Sequence, residues 1–290
     1  MSRIEDIRDN AVTAGNAMWR EASQRTSEAR EELTRRTVEA REEFTRRTTE
    51  AREELTRRTA LARQPQPDGV NPPPLRLLLG ELGMLGRRRR GSLADYTAQR
   101  PQPVMLLPGF GAHPMRMRRM QGALDAAGHA PHEWGLGFNL GPTPENFAFL
   151  LNRVSTLARE HGEPVALVGW SLGGLFAREI ARRQPDMVRK VITMGTPFSG
   201  DPHANNAWRA YQFVTGRLVD DPPIECDFSA KPPVPTIALW SPRDGVIAPR
   251  SAAGWPHERD RAVALRCNHL AFASDPGTIA EVLRQLDWDD

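Results

Sequence analysis

Three residues of the chain combine the types and the order that nucleophilic acyl chemistry needs. Ser171 stands in Gly169-Trp170-Ser171-Leu172-Gly173, between an apolar run, Val165 to Val168, and a segment of helical spacing, Leu172 to Gln184. A strand that runs into a helix through such a turn strains the serine backbone and holds its Oγ clear of the chain, with the helix N-terminus behind it. Gly169 and Gly173, the nucleophile elbow, are small because strand and helix pass close there. A serine hydroxyl also needs a base and an orienting acid. His269 follows the apolar run AVALR in CNHLAF, and Asp244 follows TIALW in SPRDGVIAP. His269 would take the proton from Ser171 and return it to the leaving group, while Asp244 would hold the imidazole tautomer and stabilise the imidazolium. The other candidates fit less well. His257 follows a Trp-Pro turn and His161 ends a helix, where a cation is favoured electrostatically. His129, His132 and His203 lie in loops or at a strand start, and Asp227 precedes the penultimate strand rather than following it.

An acyl-transfer site also needs donors for the oxyanion. The backbone N–H of Leu172 starts the helix after Ser171, and that of Phe110 lies in Pro108-Gly109-Phe110-Gly111, a tight turn after Val104 to Leu107. Losing one such donor typically costs about 3 to 4 kcal/mol of transition-state stabilisation.

The elements that must carry these residues alternate along the chain. Strands are expected over 104–107, 132–136, 165–168, 188–194, 236–240 and 262–265, and helices over 115–127, 144–161, 172–184 and 276–286. Regular alternation argues for an α/β fold, a mostly parallel sheet covered by helices on both faces, with ligands beyond the carboxyl ends of the strands. An insertion at 199–235 occupies the place of a simple connection. Trp208, Tyr211, Phe213, Val214 and Leu218 predict a small amphipathic cap helix that faces the site, which would suit an apolar acyl or alkyl group. Met115, Met117 and Met120 are expected in helix packing or, alternatively, on the opposite rim of the site.

Upstream, the sequence changes character. Residues 1–61 are dominated by an eleven-residue repeat, EAREELTRRTV from Glu28, EAREEFTRRTT from Glu39 and EAREELTRRTA from Glu50. Glu four residues ahead of Arg, as in Glu31 and Arg35, Glu32 and Arg36, or Glu42 and Arg46, supports a long helix with little core. Ala29, Leu33, Thr37, Ala40, Phe44, Thr48, Ala51, Leu55 and Thr59 form a weak stripe at about 3.67 residues per turn, nearly in line with the axis. Such a helix could associate with itself as a coiled coil, lie on a lipid or granule surface, or serve as a spacer. Residues 62–74 read as a Pro-rich linker, and 75–103 as an amphipathic and basic connecting segment. In that segment Leu75, Leu78, Leu79, Leu82 and Leu85 are expected to pack on the α/β unit at 104–290, or together with Arg87 to Arg90 to touch anionic lipid.

Composition narrows the partners. The net charge of +3 comes from the connecting segment, above all Arg87 to Arg90, because acids and bases nearly balance on either side of it. No nucleic-acid partner is expected. The opening residues, Met1 to Asn10, are too charged for a standard export signal. The longest apolar stretch, Leu75 to Leu85, contains Arg76 and Glu81 and is too short to span a bilayer. A soluble cytoplasmic protein, at most peripheral to a membrane, is expected, with Cys226 and Cys267 as reduced thiols.

From Val104 to Leu286 the chain resembles the α/β-hydrolase fold superfamily, near its bacterial serine esterase and lipase branch. The resemblance rests on GWSLGG, LPGFG, SPRDGVIAP and the Gly195-Thr196-Pro197 turn. The chain departs from many members in having Pro108-Gly109 where they have His-Gly, and Thr196-Pro197-Phe198 where Gly-x-Pro-His is commoner. The resemblance implies hydrolysis of an ester or thioester, in a small molecule or a lipid, through an acyl-enzyme at Ser171, Asp244 and His269, with no metal or organic cofactor. The same triad would serve a thioesterase, an acyltransferase or a polyester depolymerase. An interaction or scaffold protein built on the helix, with a silent hydrolase domain, is the alternative of another class.

Overall fold

The computed structural model describes residues 2–83 and 95–288. Leu85 and the run Arg87 to Arg90 lie outside the described residues. The chain divides into two compact units, Met1–Arg57 and Arg58–Asp290, and no helix among the described residues is long and apolar enough to cross a membrane.

The first unit belongs to a single helix, α1 (Ser2–Ala62). Its ion pairs follow the repeat in part. Arg36 meets Glu32 at 2.7 Å and Arg47 meets Glu43 at 2.6 Å, four residues apart as expected. Where the sequence suggested Glu31 and Glu42 as partners, Arg35 instead bridges Glu32 and Glu39 (2.7 and 3.2 Å), and Arg46 bridges Glu43 and Glu50 (2.6 and 2.8 Å). An arginine that reaches both ways ties one repeat to the next. The guanidiniums of Arg35 and Arg36 hold the Glu32 carboxyl below the usual carboxylate range, and those of Arg46 and Arg47 do the same for Glu43. Leu33, Phe44 and Leu55 of the apolar stripe are exposed.

The second unit opens with the last turn of α1 and α2 (Leu75–Leu82), then builds an α/β sandwich. Its elements are β1 (Pro103–Leu107), α3 (Arg118–Ala126), β2 (Ala130–Glu133), α4 (Pro144–His161), β3 (Val165–Trp170), α5 (Leu172–Arg183), β4 (Val188–Met194), α6 (Trp208–Thr215), β5 (Thr236–Trp240), α7 (Pro249–Ala253), β6 (Arg261–Ala264) and α8 (Pro276–Asp287). The strands form one sheet in the order β2-β1-β3-β4-β5-β6, and every pair is parallel. Alternate strand residues go to opposite faces. Val104, Leu106, Ala166, Val168, Ile192 and Ile237 pack with Met120 and Leu124 of α3 and Ile279 and Val282 of α8. Met105, Leu107, Val165, Leu167 and Val191 pack with Leu150 and Val154 of α4 and Phe176 and Ile180 of α5. Because both faces are covered there, the inner strands such as β1 and β3 read as apolar runs rather than as an alternation.

Several boundaries differ from the sequence expectation. The second strand ends at Glu133 instead of reaching Leu136, since Trp134 leaves the ladder and donates its Nε1–H to Gly137 O at 3.2 Å. The helix expected over 115–127 begins as a 3-10 turn, Pro114–Met117, capped by His113 Nδ1 accepting from Met115 N. The end of α1 and the segment after it are fastened to α6 and the loop before it. Gln212 Nε2 donates to Leu61 O at 2.7 Å, Trp208 Nε1 to Gln66 Oε1 at 3.0 Å, and Gln66 Nε2 to His203 O at 3.0 Å. Helix α6 buries Trp208, Tyr211 and Gln212, but Phe213 and Val214 are exposed, so the inward face is narrower than expected.

One buried histidine makes stability sensitive to acid. His129, at the entry to β2, is 3% exposed and its ring nitrogens have no hydrogen-bond partner among the described residues. Burial pushes its pKa below the usual value, with Asp287 opposing in part. Burial and the charge of His161 act in the same direction on His132. Below the unfolded value of about 6.5 the unfolded chain therefore binds more protons than the folded one. The stability these groups contribute is present above that pH and is lost as pH falls through it toward the folded values. The unfolding midpoint of the wild type should fall between about pH 7 and pH 5, and the fall should be shallower in His129→Leu. Parallel curves for the two proteins would contradict this assignment.

Candidate active site

The strand order reverses between β1 and β3: the chain leaves β1 for β2 on one side and comes back to β3 on the other. Loops at the carboxyl ends of these two neighbours diverge and leave a crevice. Ser171 follows β3 directly, and the turn 108–111 follows β1. Ser171 has φ 53° and ψ −122°, and it is the one non-glycine with positive φ among the described residues. Space around it explains the glycines. A Cβ on Gly169 would stand 2.4 Å from Gly174 Cα, and one on Gly173 only 2.2 Å from Leu107 O. Gly174, which the sequence reading did not single out, is equally constrained, its Cβ position lying 2.0 Å from Thr196 Oγ1.

Leu172 is the first residue of α5, so its N–H is one of those that a helix leaves without an intrahelical partner. Phe110 lies in the turn that crosses the serine: a Cβ on the adjacent Gly109 would sit 3.2 Å from Ser171 Cβ. That turn is fixed by Asn139, a fully buried residue that the sequence reading missed. Its Nδ2 donates to Pro108 O at 2.7 Å, its carbonyl accepts from Gly111 N at 2.7 Å, and its N–H donates to Ala112 O at 3.0 Å. Nothing in the local spacing marks Asn139 beyond its setting in a loop. The Phe110 ring lies 5.5 Å from that of Tyr211 on α6.

The other two residues arrive from the far side of the sheet. Asp244 follows β5 and His269 follows β6, and His269 Nδ1 stands 2.8 Å from Asp244 Oδ2. Both are buried, at 4% and 1% exposure. Asp244 Oδ1 accepts from Val246 N and Ile247 N, each at 2.8 Å, so both carboxylate oxygens are engaged. With Nδ1–H donated to Asp244, the imidazole keeps Nε2 as an acceptor. Trp170 Nε1 donates to His269 O at 3.1 Å, and Trp170 and Phe272 flank the ring.

The remaining candidates sit elsewhere. Asp227 accepts from Ser229 N, Ser229 Oγ and Ala230 N as a turn cap, which lowers its pKa. His203 contacts Asp201, two residues away, at 2.9 Å. His132 and His161 contact each other, Nε2 to Nε2, at 2.8 Å. Cys226 and Cys267 are free thiols whose pKa values burial pushes to about 11 and about 12.

Residues 102–222 match the family model described as the alpha/beta hydrolase fold. No curated protein matches the sequence. Among solved structures, the chain is similar to the Bacillus licheniformis lipase BlEst2 in its propeptide form, at 15% identity and a TM-score of 0.50, over 69% of this chain and 53% of the other. A monoacylglycerol lipase from Paleococcus ferrophilus aligns at 19% identity and a TM-score of 0.48, over 66% of this chain and 94% of that one. A lipase-esterase related protein from Clostridium acetobutylicum aligns at 13% identity and a TM-score of 0.48, over 66% and 96%. Identities this low speak to the fold alone. The parallel sheet that reverses order at β1 and β3, together with the family model that matches the segment containing that reversal, gives this part of the chain the alpha/beta hydrolase fold.

Proposed function

We propose that the chain is a serine hydrolase of carboxylic esters that works through an acyl-enzyme. The observation that carries this reading is the buried pair of His269 Nδ1 and Asp244 Oδ2, 2.8 Å apart, on loops that end neighbouring strands of the sheet whose β3 delivers Ser171. His269 Nε2 accepts the Ser171 proton as Oγ adds to the substrate carbonyl. The N–H groups of Phe110 and Leu172 receive the oxyanion. His269 then protonates the departing alcohol, and the acyl group stays on Ser171. Water, deprotonated by the same nitrogen, releases the acid. Asp244 keeps its charge throughout and stabilises the imidazolium.

The surroundings favour an apolar acyl or alkyl group. Phe138 and Leu140, at 62% and 59% exposure, flank the Asn139 that holds the oxyanion turn, and the Tyr211 ring lies against Phe110. The test is hydrolysis of a p-nitrophenyl ester series from acetate to palmitate, together with labelling by a fluorophosphonate mapped to its peptide. Hydrolysis with the label on Ser171 is the expected result, and the chain-length profile then separates esterase from lipase. Label without hydrolysis would shift the reading to thioesters or polyesters. Neither label nor hydrolysis would end it.

A further inference from the structure

Helix α2 does not pack as its leucines predict, for Leu77 and Leu78 are only half-buried. Its Leu75 and Leu79 are 69% and 67% exposed, while its one acidic residue, Glu81, is 1% exposed. A carboxylate leaves water only where donors replace its hydration. Three backbone N–H groups do so here. Glu81 Oε1 accepts from Gly245 N at 3.0 Å and from His269 N at 2.5 Å, and Oε2 accepts from Leu270 N at 3.0 Å. One donor belongs to the residue after Asp244 and another is the amide of His269 itself. A single carboxylate thus spans the two loops whose tips must keep the aspartate and the imidazole in contact.

The neighbourhood is shaped for this docking. A Cβ on Gly245 would stand 2.5 Å from Leu77 C and 2.6 Å from Leu78 N, so the backbone of α2 occupies the space that any side chain at 245 would need. Asn206 Nδ2 donates to both Pro73 O, at 2.9 Å, and Gly245 O, at 2.8 Å, which holds the chain entering α2 against the same loop. Ser241 Oγ donates to Cys267 O at 2.5 Å, a second tie between the loops further from their tips. Glu81 lies 21 residues ahead of the first residue that the family model matches, residue 102.

We propose that Glu81 is a positioning residue for the Asp244–His269 pair. Its carboxylate, supplied from ahead of the hydrolase core, holds the acid and base loops at the separation that keeps His269 Nε2 aimed at Ser171. This rests on the serine hydrolase reading. Glutamine at 81 keeps an oxygen for Gly245 N and His269 N but turns an NH2 toward Leu270 N, so it restores part of the tie. Alanine removes all of it.

The test uses the full chain as wild type, Ser171→Ala, Glu81→Ala and Glu81→Gln. On an ester that the wild type hydrolyses, Glu81→Ala should lower kcat about 100-fold with KM within about twofold, as expected for a catalytic group displaced by roughly an ångström, and Glu81→Gln should lose about tenfold. The far-downfield proton resonance of the His269–Asp244 hydrogen bond should persist in wild type, Ser171→Ala and Glu81→Gln, and broaden away in Glu81→Ala. That resonance needs no turnover, so it decides the role of Glu81 even if no ester proves to be a substrate. An intact resonance in Glu81→Ala, or a loss of rate fully accounted for by a smaller folded fraction in both Glu81 variants, would overturn the proposal.

Discussion

Alanine at position 171 should lower kcat/KM toward any ester the chain hydrolyses by about 10⁶, leaving only the modest rate enhancement of the oxyanion donors and of binding. Labelling by the fluorophosphonate should vanish with it. The backbone at this position adds a second expectation that activity alone would not carry. At φ 53° and ψ −122° a residue with a Cβ is strained by about 1–3 kcal/mol, a cost that glycine avoids. Glycine in turn loosens the unfolded chain by about 0.4–1 kcal/mol. Ser171→Gly should therefore be as inactive as Ser171→Ala and yet unfold at a higher temperature. Equal midpoints would show that the elbow stores no strain. Activity of the alanine variant within about tenfold of wild type would remove Ser171 from the role of nucleophile.

Much of this architecture is legible because its signals are local. An apolar run, a glycine-flanked serine and a helical pattern occupy contiguous residues, and the steric demand at Gly169 comes from Gly174 nearby in sequence, that at Gly173 from Leu107 at the end of β1. The parallel sheet follows from the alternation, since its inner strands β1, β3, β4 and β5 are buried on both faces, whereas the edge strands β2 and β6 are only partly covered. Boundaries were harder where an element ends by a side-chain event, as with Trp134 leaving β2 or His113 capping a 3-10 turn.

What the spacing could not show are polar residues whose partners are distant in sequence. Glu81 meets Gly245, His269 and Leu270 across 164 to 189 residues, and in the local sequence it reads as an interruption of a leucine-rich helix. Asn139 reaches Pro108 from 31 residues away. The exposed Phe213 and Val214 teach the converse. An amphipathic pattern says which residues share a face, but on a helix of eight residues it does not fix which face turns inward.

Asparagine at position 244 should be nearly as damaging as losing the serine, and for a reason that the two carboxylate oxygens make specific. Oδ1 accepts from Val246 N and Ile247 N, whereas Oδ2 faces His269 Nδ1. In Asp244→Asn the carbonyl oxygen keeps the two backbone donors, because an NH2 there would face two N–H groups. The NH2 must then take the Oδ2 position against the imidazole. A donor at that place forces Nδ1 to accept, so the ring carries its proton on Nε2 and can no longer take one from Ser171. The expected loss in kcat is about 10⁴ with the folded state retained. Asp244→Ala should differ in stability rather than in activity. Removing both oxygens leaves the N–H groups of Val246 and Ile247 without their acceptor beside a site that is 1% exposed, at about 1–3 kcal/mol for each group that water does not reach. Turnover and urea melts of the two variants would separate the effects. An asparagine variant that keeps more than about a tenth of the wild-type kcat would show that the acid does not set the tautomer of His269.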